Sequence, residues 1–155
     1  MVAAAPMRSG LRSVVMASIF SRIIAGELPG RFLWRDDRCV ALLDVRPLGV
    51  GHSLVMPLEE VDRWTDLGAD DAAHLMTVAH HLGNAQMAVF RPARIALIIA
   101  GFEVPHTHLH VVPATSMANL DFANADTNPD QTVLDDAAER LRAALRSAGH
   151  TQVPA

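Results

Sequence analysis

A chain of 155 residues with 50% hydrophobic and 19% charged residues is large enough for one folded domain and differs in composition from disordered and coiled-coil proteins. The formal net charge of −4 argues against a broad nucleic-acid surface, because phosphate binding needs clustered Lys and Arg. One cysteine, Cys39, excludes an internal disulfide, and no apolar run has the length of a membrane span, so we expect a cytoplasmic protein that contacts neither nucleic acid nor membrane.

The first predicted element is a short helix that follows an irregular N-terminus. Residues 1–16 are rich in Ala, Ser and Arg and show no hydrophobic period, which predicts a poorly ordered extension. The apolar patch within it is too short for the hydrophobic region of a signal peptide. From Ser18, which suits an N-cap, apolar residues recur at helical spacing until Gly26, and this pattern predicts a short helix.

Three strands and the longest helix are predicted next. Residues 32–35 and 38–43 have the composition of paired strands joined by a polar turn, and residues 52–56 form a third strand. The longest helix is expected over residues 70–90, because apolar residues recur there on one helical face and the acidic start suits the helix dipole.

The C-terminal half supplies the remaining elements. Residues 94–100 form a continuous apolar run, which is typical of a central strand buried on both faces. Residues 106–113 are predicted as the last strand, residues 114–130 as a surface loop, and a final helix begins near Thr132. These elements predict an α+β fold: an antiparallel sheet of about five strands, with the long helix packed across it and a short N-terminal helix.

The most informative segment is residues 106–113, with the sequence HTHLHVVP. On a strand, alternate side chains share a face, so His106, His108 and His110 are expected about 6.7 Å apart on one open surface. Thr107 and Leu109 point the other way and supply the burial that holds this face in place. Imidazoles can act as nucleophiles, as proton donors and acceptors near pH 7, or as metal ligands.

The spacing of the three histidines favours a nucleophilic role over metal binding, and both interpretations stay open. His108, flanked on its own face by two imidazoles, is best placed to attack phosphorus and form a nucleotidyl phosphoramidate. A metal-dependent hydrolase is also possible; three rings spread over about 13 Å cannot share one ion, so an outside ligand such as His52 or Glu103 must join them. A nucleotide-binding module without catalysis is possible too. Three histidines that are merely buried polar groups are less favoured, because each needs its own hydrogen-bond partner.

Four separated segments, in order along the chain, carry a family resemblance. They are SIFSRIIAGELP at residues 18–29, DDRCVALLD at residues 36–44, GHSLVMP at residues 51–57 and HTHLHVV at residues 106–112. Through them the sequence resembles the histidine triad (HIT) superfamily, in its Hint-like branch of nucleotide hydrolases and transferases. The resemblance implies a HIT domain over residues 17–115, followed by a surface loop and a C-terminal helix over residues 116–155.

The resemblance also implies a role for each polar residue of the site. His108 would be the nucleophile, His106 and His110 would contact phosphate or relay protons, and His52 would be the fourth histidine of the site. Asp44 would hold the ribose hydroxyls, which suits an ionised carboxylate because it can accept two hydrogen bonds from a diol. Without the resemblance, Asp44 is better interpreted as a turn-forming aspartate.

A substrate and a partner are implied as well. The apolar slot for the base would consist of Ile19, Phe20, Ile23, Leu42 and Val45, which their pattern alone would assign to ordinary core. The implied reaction is hydrolysis or transfer at the α-phosphate of a purine nucleotide derivative, such as an adenosine phosphoramidate or a dinucleoside polyphosphate, without a diffusible cofactor. Relatives pair through the long helix and the adjacent strand, so a homodimer is expected.

The sequence departs from the family pattern at two places. Many relatives hold a structural zinc ion with two cysteines, a histidine and the first triad histidine, but Ser18, Ser21 and Glu60 stand at those positions here. Serine hydroxyls are poor zinc ligands, so we predict no metal and expect Ser18 to cap its helix. In the loop before the triad, Phe102 occupies the position of a glutamine with which relatives touch the phosphate and leaving group.

Overall fold

The computed structural model describes residues 16–155, which form a five-stranded antiparallel sheet flanked by helices. The strands are β1 (Phe32–Arg35), β2 (Cys39–Leu43), β3 (Ser53–Pro57), β4 (Arg94–Ile98) and β5 (Leu109–Ala114), in the spatial order β1-β2-β3-β5-β4. The α-helices are α1 (Ile19–Ile24), α2 (Ala69–Phe90) and α3 (Gln131–Ser147), and 3₁₀ helices span Trp64–Asp66, Met117–Leu120 and Phe122–Asn124. This architecture confirms the predicted α+β fold.

Alternate residues of the central strands point to opposite faces of the sheet and build two cores. On one face, apolar side chains of α2 and α3 bury strand residues that include Ala41 and Val55. On the other face, Leu42 and Met56 pack with Phe20 of α1. Because α3 packs in the first of these cores, the C-terminal helix is part of the main core. The predicted end of the domain at residue 115 stays a prediction.

The N-terminal helix forms as its sequence predicts. Ser18 is the N-cap of α1, and its hydroxyl accepts a hydrogen bond from the backbone N–H of Ser21 at 3.1 Å. The chain leaves the helix through Gly26, which has a φ of +81° that a glycine adopts without strain. The predicted extension over residues 1–16 lies outside the described residues, apart from Met16, which is exposed.

The prediction that residues 94–100 form a central strand buried on both faces is wrong. This strand, β4, lies at the edge of the sheet beside β5, and Leu97 remains 39% exposed. A continuous apolar run does not identify a central strand, because an edge strand with an apolar outer face has the same composition. Met76 and Met87 of α2 are also exposed, and with β4 they line one apolar groove.

The last strand is shorter than predicted, because β5 begins at Leu109 rather than at residue 106. His106 and His108 lie in the irregular segment that precedes it. The backbone N–H of His106 donates to the carbonyl of Val104 at 2.8 Å, and that of Thr107 donates to the carbonyl of Val61 at 2.7 Å. These two backbone N–H groups therefore form hydrogen bonds outside the sheet. Of the three histidines in this segment, only His110 belongs to β5.

The C-terminal third contains more structure than the predicted loop. The segment after β5 forms the two 3₁₀ helices at Met117–Leu120 and Phe122–Asn124, and Asp130 caps α3 by accepting the N–H of Thr132 at 2.8 Å. Beyond α3, the carbonyl of Gln152 accepts the N–H of Arg35 at 2.9 Å, so the C-terminal tail lies along the outer edge of β1. No helix within residues 16–155 combines the length and apolar character needed to cross a membrane.

Candidate active site

The four histidines named from the sequence come together at one place. The rings of His108 and His110 have centroids 4.8 Å apart, and those of His52 and His110 are 5.2 Å apart. Phe20 of α1 contacts the cluster edge-on, with its centroid 6.0 Å from that of His106 and 4.9 Å from that of His108. The rings thus form a cluster instead of a row at strand spacing.

The expectation of an open histidine surface is wrong, because all four imidazoles are largely covered. His52 and His106 are 0% exposed, whereas His108 is 6% and His110 is 8% exposed. Phe20 packs on His108 from one side, and Phe122, from the segment after β5, packs edge-on against His110 with centroids 4.9 Å apart. Only His108 and His110 keep an edge toward solvent, so they are the members of the cluster that a substrate can reach.

The partners of His108 determine which of its nitrogens carries the proton. Its Nδ1 lies 2.7 Å from the carbonyl oxygen of His106, and a carbonyl can only accept a hydrogen bond. The proton of the neutral ring is therefore assigned to Nδ1, which leaves a lone pair on Nε2. An imidazole nitrogen with a lone pair is a nucleophile.

The same reasoning fixes the protons of His52 and His110. The backbone N–H of Leu48 donates to Nδ1 of His52 at 3.0 Å, so His52 carries its proton on Nε2 and donates it to Nδ1 of His110, also at 3.0 Å. The proton of His110 is then on its own Nε2. Burial, with the neighbouring imidazoles, lowers the pKa of His52 to about 3 and that of His110 to about 4. Both rings are therefore neutral at pH 7.

Asp44 lies beside this pair, at the end of β2. Its Oδ1 accepts the backbone N–H of Arg46 at 2.9 Å, which is the turn-forming role, and its Oδ2 is 3.7 Å from Nε2 of His52. The backbone N–H of Asp44 also donates to the carbonyl of His52 at 3.0 Å. Burial raises the pKa of Asp44. One carboxylate oxygen is thus used in the turn, while the other faces the histidine cluster.

The five apolar residues predicted for a base slot divide into two groups. Phe20, Ile23 and Leu42 pack in one buried cluster and are 9%, 8% and 2% exposed. Ile19 and Val45 are half exposed, at 50% and 56%. Ile19 and Val45 therefore offer apolar surface to a ligand, whereas Leu42 has almost none left.

The residues at the positions of the relatives' zinc ligands do converge, but they form hydrogen bonds with one another. Oγ of Ser18 lies 3.0 Å from Nδ1 of His106, the hydroxyl of Ser21 donates to Oε2 of Glu60, and the backbone N–H of Ser18 donates to the same oxygen at 2.9 Å. The hydrogen bond from Ser21, followed by that from Ser18, lowers the pKa of Glu60. Neutral hydroxyls in direct contact with the imidazole do not fit zinc, which prefers thiolate and imidazole ligands at its own bonding distances.

A second group of possible metal ligands is Asp44, His52 and His110, whose ligand atoms lie within 4.8 Å of one another. A ligating nitrogen needs a free lone pair, but Nε2 of His52 carries a proton because Nδ1 accepts the N–H of Leu48. An ion here would have to break the bond from Leu48 as well as the bond between the two imidazoles. This geometry favours a nucleophilic histidine over a metal-dependent hydrolase.

Two contributors to the site were not identified as such from the sequence. Phe122 lies in a segment without hydrophobic period, and no sequence signal indicates that it contacts His110. Glu60 was noted only for what it replaces, although it is bonded to Ser21 of α1 and to Ser18, the N-cap of that helix. Phe102, in contrast, is 97% exposed in the loop before the triad.

Comparison with known proteins identifies the class. Residues 25–117 match the HIT domain family, and the chain therefore belongs to that family. It is 32% identical to an uncharacterized HIT-like protein of Mycobacterium tuberculosis over 113 residues, which cover 70% of this chain and 78% of that protein. A crystal structure of a zinc-bound histidine triad family protein from Mycobacterium smegmatis superposes with a TM-score of 0.74 at 27% identity, covering 86% of this chain and 96% of that one.

One relative with a named activity shares a shorter region. It is a bifunctional bis(5'-adenosyl)-triphosphatase/adenylylsulfatase of Arabidopsis thaliana, 36% identical over 78 residues. The match covers 47% of this chain and 43% of the Arabidopsis protein, so less than half of that enzyme is represented here. The HIT family thus includes hydrolases of adenine nucleotide derivatives.

Proposed function

We propose that this protein is a nucleotide hydrolase or transferase that acts at the α-phosphate of purine nucleotide derivatives, such as adenosine phosphoramidates or dinucleoside polyphosphates. The observation that carries the proposal is the state of His108: its proton is on Nδ1, its Nε2 has a lone pair, and the ring keeps an edge toward solvent. The activities in the name of the Arabidopsis relative, bis(5'-adenosyl)-triphosphatase and adenylylsulfatase, support the same class of substrate.

The proposed reaction has two steps at one phosphorus atom. Nε2 of His108 forms a bond to the α-phosphorus while the bond to the leaving group breaks. The leaving group departs with the electron pair and takes up one proton from solvent, so a phosphoramidate releases ammonia. The resulting positive charge on the ring is stabilised by the carbonyl of His106, which accepts the Nδ1 proton at 2.7 Å. Water then forms a P–O bond as the N–P bond breaks, which returns the electron pair to Nε2, gives one proton to solvent and releases the nucleoside monophosphate.

The remaining residues of the site have supporting roles in this proposal. His110 presents its Nε2 proton to a phosphate oxygen, because Nδ1 is occupied by the bond from His52. Asp44 accepts the ribose hydroxyls through Oδ2, and Ile19 and Val45 contact the base with their exposed surfaces. No diffusible cofactor takes part.

Intact-mass spectrometry with adenosine 5'-phosphoramidate tests the proposal. We expect AMP release and, on rapid acid quench, a mass increase of one adenylyl group that peptide mapping assigns to His108. His108→Asn should abolish both, whereas His80→Asn, a change at an exposed histidine of α2, should preserve both. An adduct on another residue would overturn the mechanism, and nucleotide binding without turnover would support the non-catalytic module. Loss of activity in EDTA, restored by metal, would instead support the metal-dependent hydrolase.

We also propose that the protein is a homodimer. The exposed side chains of Met76, Met87 and Leu97 form an apolar surface along α2 and β4, and β4 is the last strand in the order of the sheet. A two-fold axis beside β4 would pair this strand with its copy and cover the apolar surface of both molecules. Light scattering after size-exclusion chromatography should give twice the chain mass, and Leu97→Arg should give the monomer. Location in the cytoplasm stays a prediction.

A further inference from the structure

A continuous chain of hydrogen bonds connects Glu60 to the proposed nucleophile. Oε2 of Glu60 accepts the hydroxyl of Ser21 and the backbone N–H of Ser18. Oγ of Ser18 is in turn 3.0 Å from Nδ1 of His106, and the carbonyl of His106 accepts the Nδ1 proton of His108. The backbone N–H of Ser21 also donates to Oγ of Ser18 at 3.1 Å, so hydrogen bonds of side chains and backbone link three separate segments.

The direction of each bond follows from the groups involved. Nε2 of His106 lies 2.8 Å from the carbonyl oxygen of Pro57, so this nitrogen donates and carries the proton of the neutral ring. Nδ1 of His106 then has a lone pair and accepts the hydroxyl proton of Ser18. His106 is therefore held at both nitrogens and is 0% exposed, which leaves its ring no contact with a substrate.

The segment that carries the nucleophile depends on such bonds, because it lies outside the sheet. His106 and His108 precede β5, and the N–H of Thr107 donates to the carbonyl of Val61 at 2.7 Å, next in the chain to Glu60. The loop that contains Glu60 thus contacts the histidine segment through its backbone, and through the two serines of α1. Loosening this contact would let the His106 carbonyl move away from His108.

We propose that Glu60, through Ser21 and Ser18, is a positioning residue that fixes His106 and thereby keeps the proton of His108 on Nδ1. The proposal rests on the function proposed above, since it assigns Glu60 a role in aiming that nucleophile. It also gives a function to the four positions at which relatives hold zinc, because hydrogen bonds here tie α1 to the histidine segment without a metal ion.

The tautomer of His108 can be measured without any substrate. In full-length protein labelled with ¹⁵N-histidine, long-range ¹H–¹⁵N correlation spectra distinguish a proton on Nδ1 from one on Nε2. We expect the Nδ1–H form for His108 in the wild type and a mixture of both forms in Glu60→Ala. Glu60→Gln keeps an acceptor oxygen at the same place and should retain the wild-type spectrum. Glu59→Ala is the matched control, because Glu59 is exposed and has no hydrogen-bond partner within residues 16–155.

The rate of adenylylation gives a second readout. Glu60→Ala should lower kcat with adenosine 5'-phosphoramidate by about tenfold or more at an unchanged KM. The substitution would disturb the orientation of His108 toward the phosphorus but would leave the nucleotide-binding residues unchanged. Glu60→Gln should stay within about threefold of wild type. If Glu60→Ala does not fold, Ser18→Ala removes the hydroxyl that lies 3.0 Å from Nδ1 of His106 and should show the same mixture of tautomers and the same fall in kcat.

The outcomes separate this proposal from the proposed function. A folded Glu60→Ala or Ser18→Ala variant in which His108 keeps its Nδ1 proton would overturn the positioning role, whatever the protein catalyses. A fall in kcat that Glu60→Gln does not rescue would also overturn it, since a negative charge would then matter rather than an acceptor oxygen. A protein without adenylyl transfer, whose His108 tautomer still depends on Glu60, would overturn the proposed function alone.

Discussion

Acidification from pH 8 to pH 5 should destabilise the protein through two buried imidazoles. In the folded chain the pKa is about 3 for His52 and about 4 for His110, against an ordinary value of 6.5. A lowered imidazole pKa means that the unfolded chain binds more protons. The stability contributed by each ring is therefore complete above pH 6.5 and is lost as the pH falls toward the folded pKa. Integration from pH 8 to pH 5 gives a loss of about 2 kcal/mol for each ring and about 4 kcal/mol for both.

Urea denaturation at pH 8, 6.5 and 5 measures this loss. Because further groups also titrate between pH 8 and pH 5, the test is the comparison of each variant with the wild type. His110→Asn removes one ring and keeps an acceptor for the Nε2 proton of His52, and it should reduce the loss by about 2 kcal/mol. His80→Asn, at an exposed position of α2, should leave the loss unchanged. The same loss in His110→Asn as in the wild type would refute the assignment of a neutral buried pair.

Three further predictions concern different parts of the molecule. Phe122→Ala removes the edge-on contact with His110 and should lower kcat/KM by about threefold to tenfold, whereas Met117→Ala, at a side chain that is 80% exposed, should have no effect in the same assay. Asp44→Asn should raise KM for a ribonucleotide substrate and have little effect on its 2'-deoxy analogue, because the ribose contact is lost; an equal change for both would contradict that role. Leu141→Ala, at a fully buried position of α3, should lower the free energy of unfolding by about 2–5 kcal/mol, as measured in urea; a loss below about 1 kcal/mol would show that α3 is peripheral to the core.

Most of the fold could be predicted because its elements are specified by local patterns. The cap at Ser18, the period of α2 and the strand-forming composition of β2 and β3 each depend on residues close together in the chain, and the structure confirms these elements. The composition of β4 could not reveal its place, since an apolar run does not distinguish a strand at the centre of a sheet from an edge strand with an apolar outer face.

The arrangement of the site was only partly predictable. The sequence indicated which histidines come together, but the start of β5 depends on a bond between Thr107 and Val61, 46 residues apart in the chain. The same holds for Ser18 and Glu60, which are 42 residues apart, and for the contact between His110 and Phe122. Contacts of this kind have no periodic signature, so the burial of the imidazoles and the positions of their protons required the three-dimensional structure.

The tail beside β1 limits how these molecules can assemble. Since Gln152 occupies the N–H of Arg35, a neighbouring strand meets a blocked edge on that side of the sheet. Two copies joined at β4 would make a continuous ten-stranded sheet with a tail against each outer strand. A third copy that approached either outer strand would first have to displace that tail, so the tail disfavours growth beyond the pair.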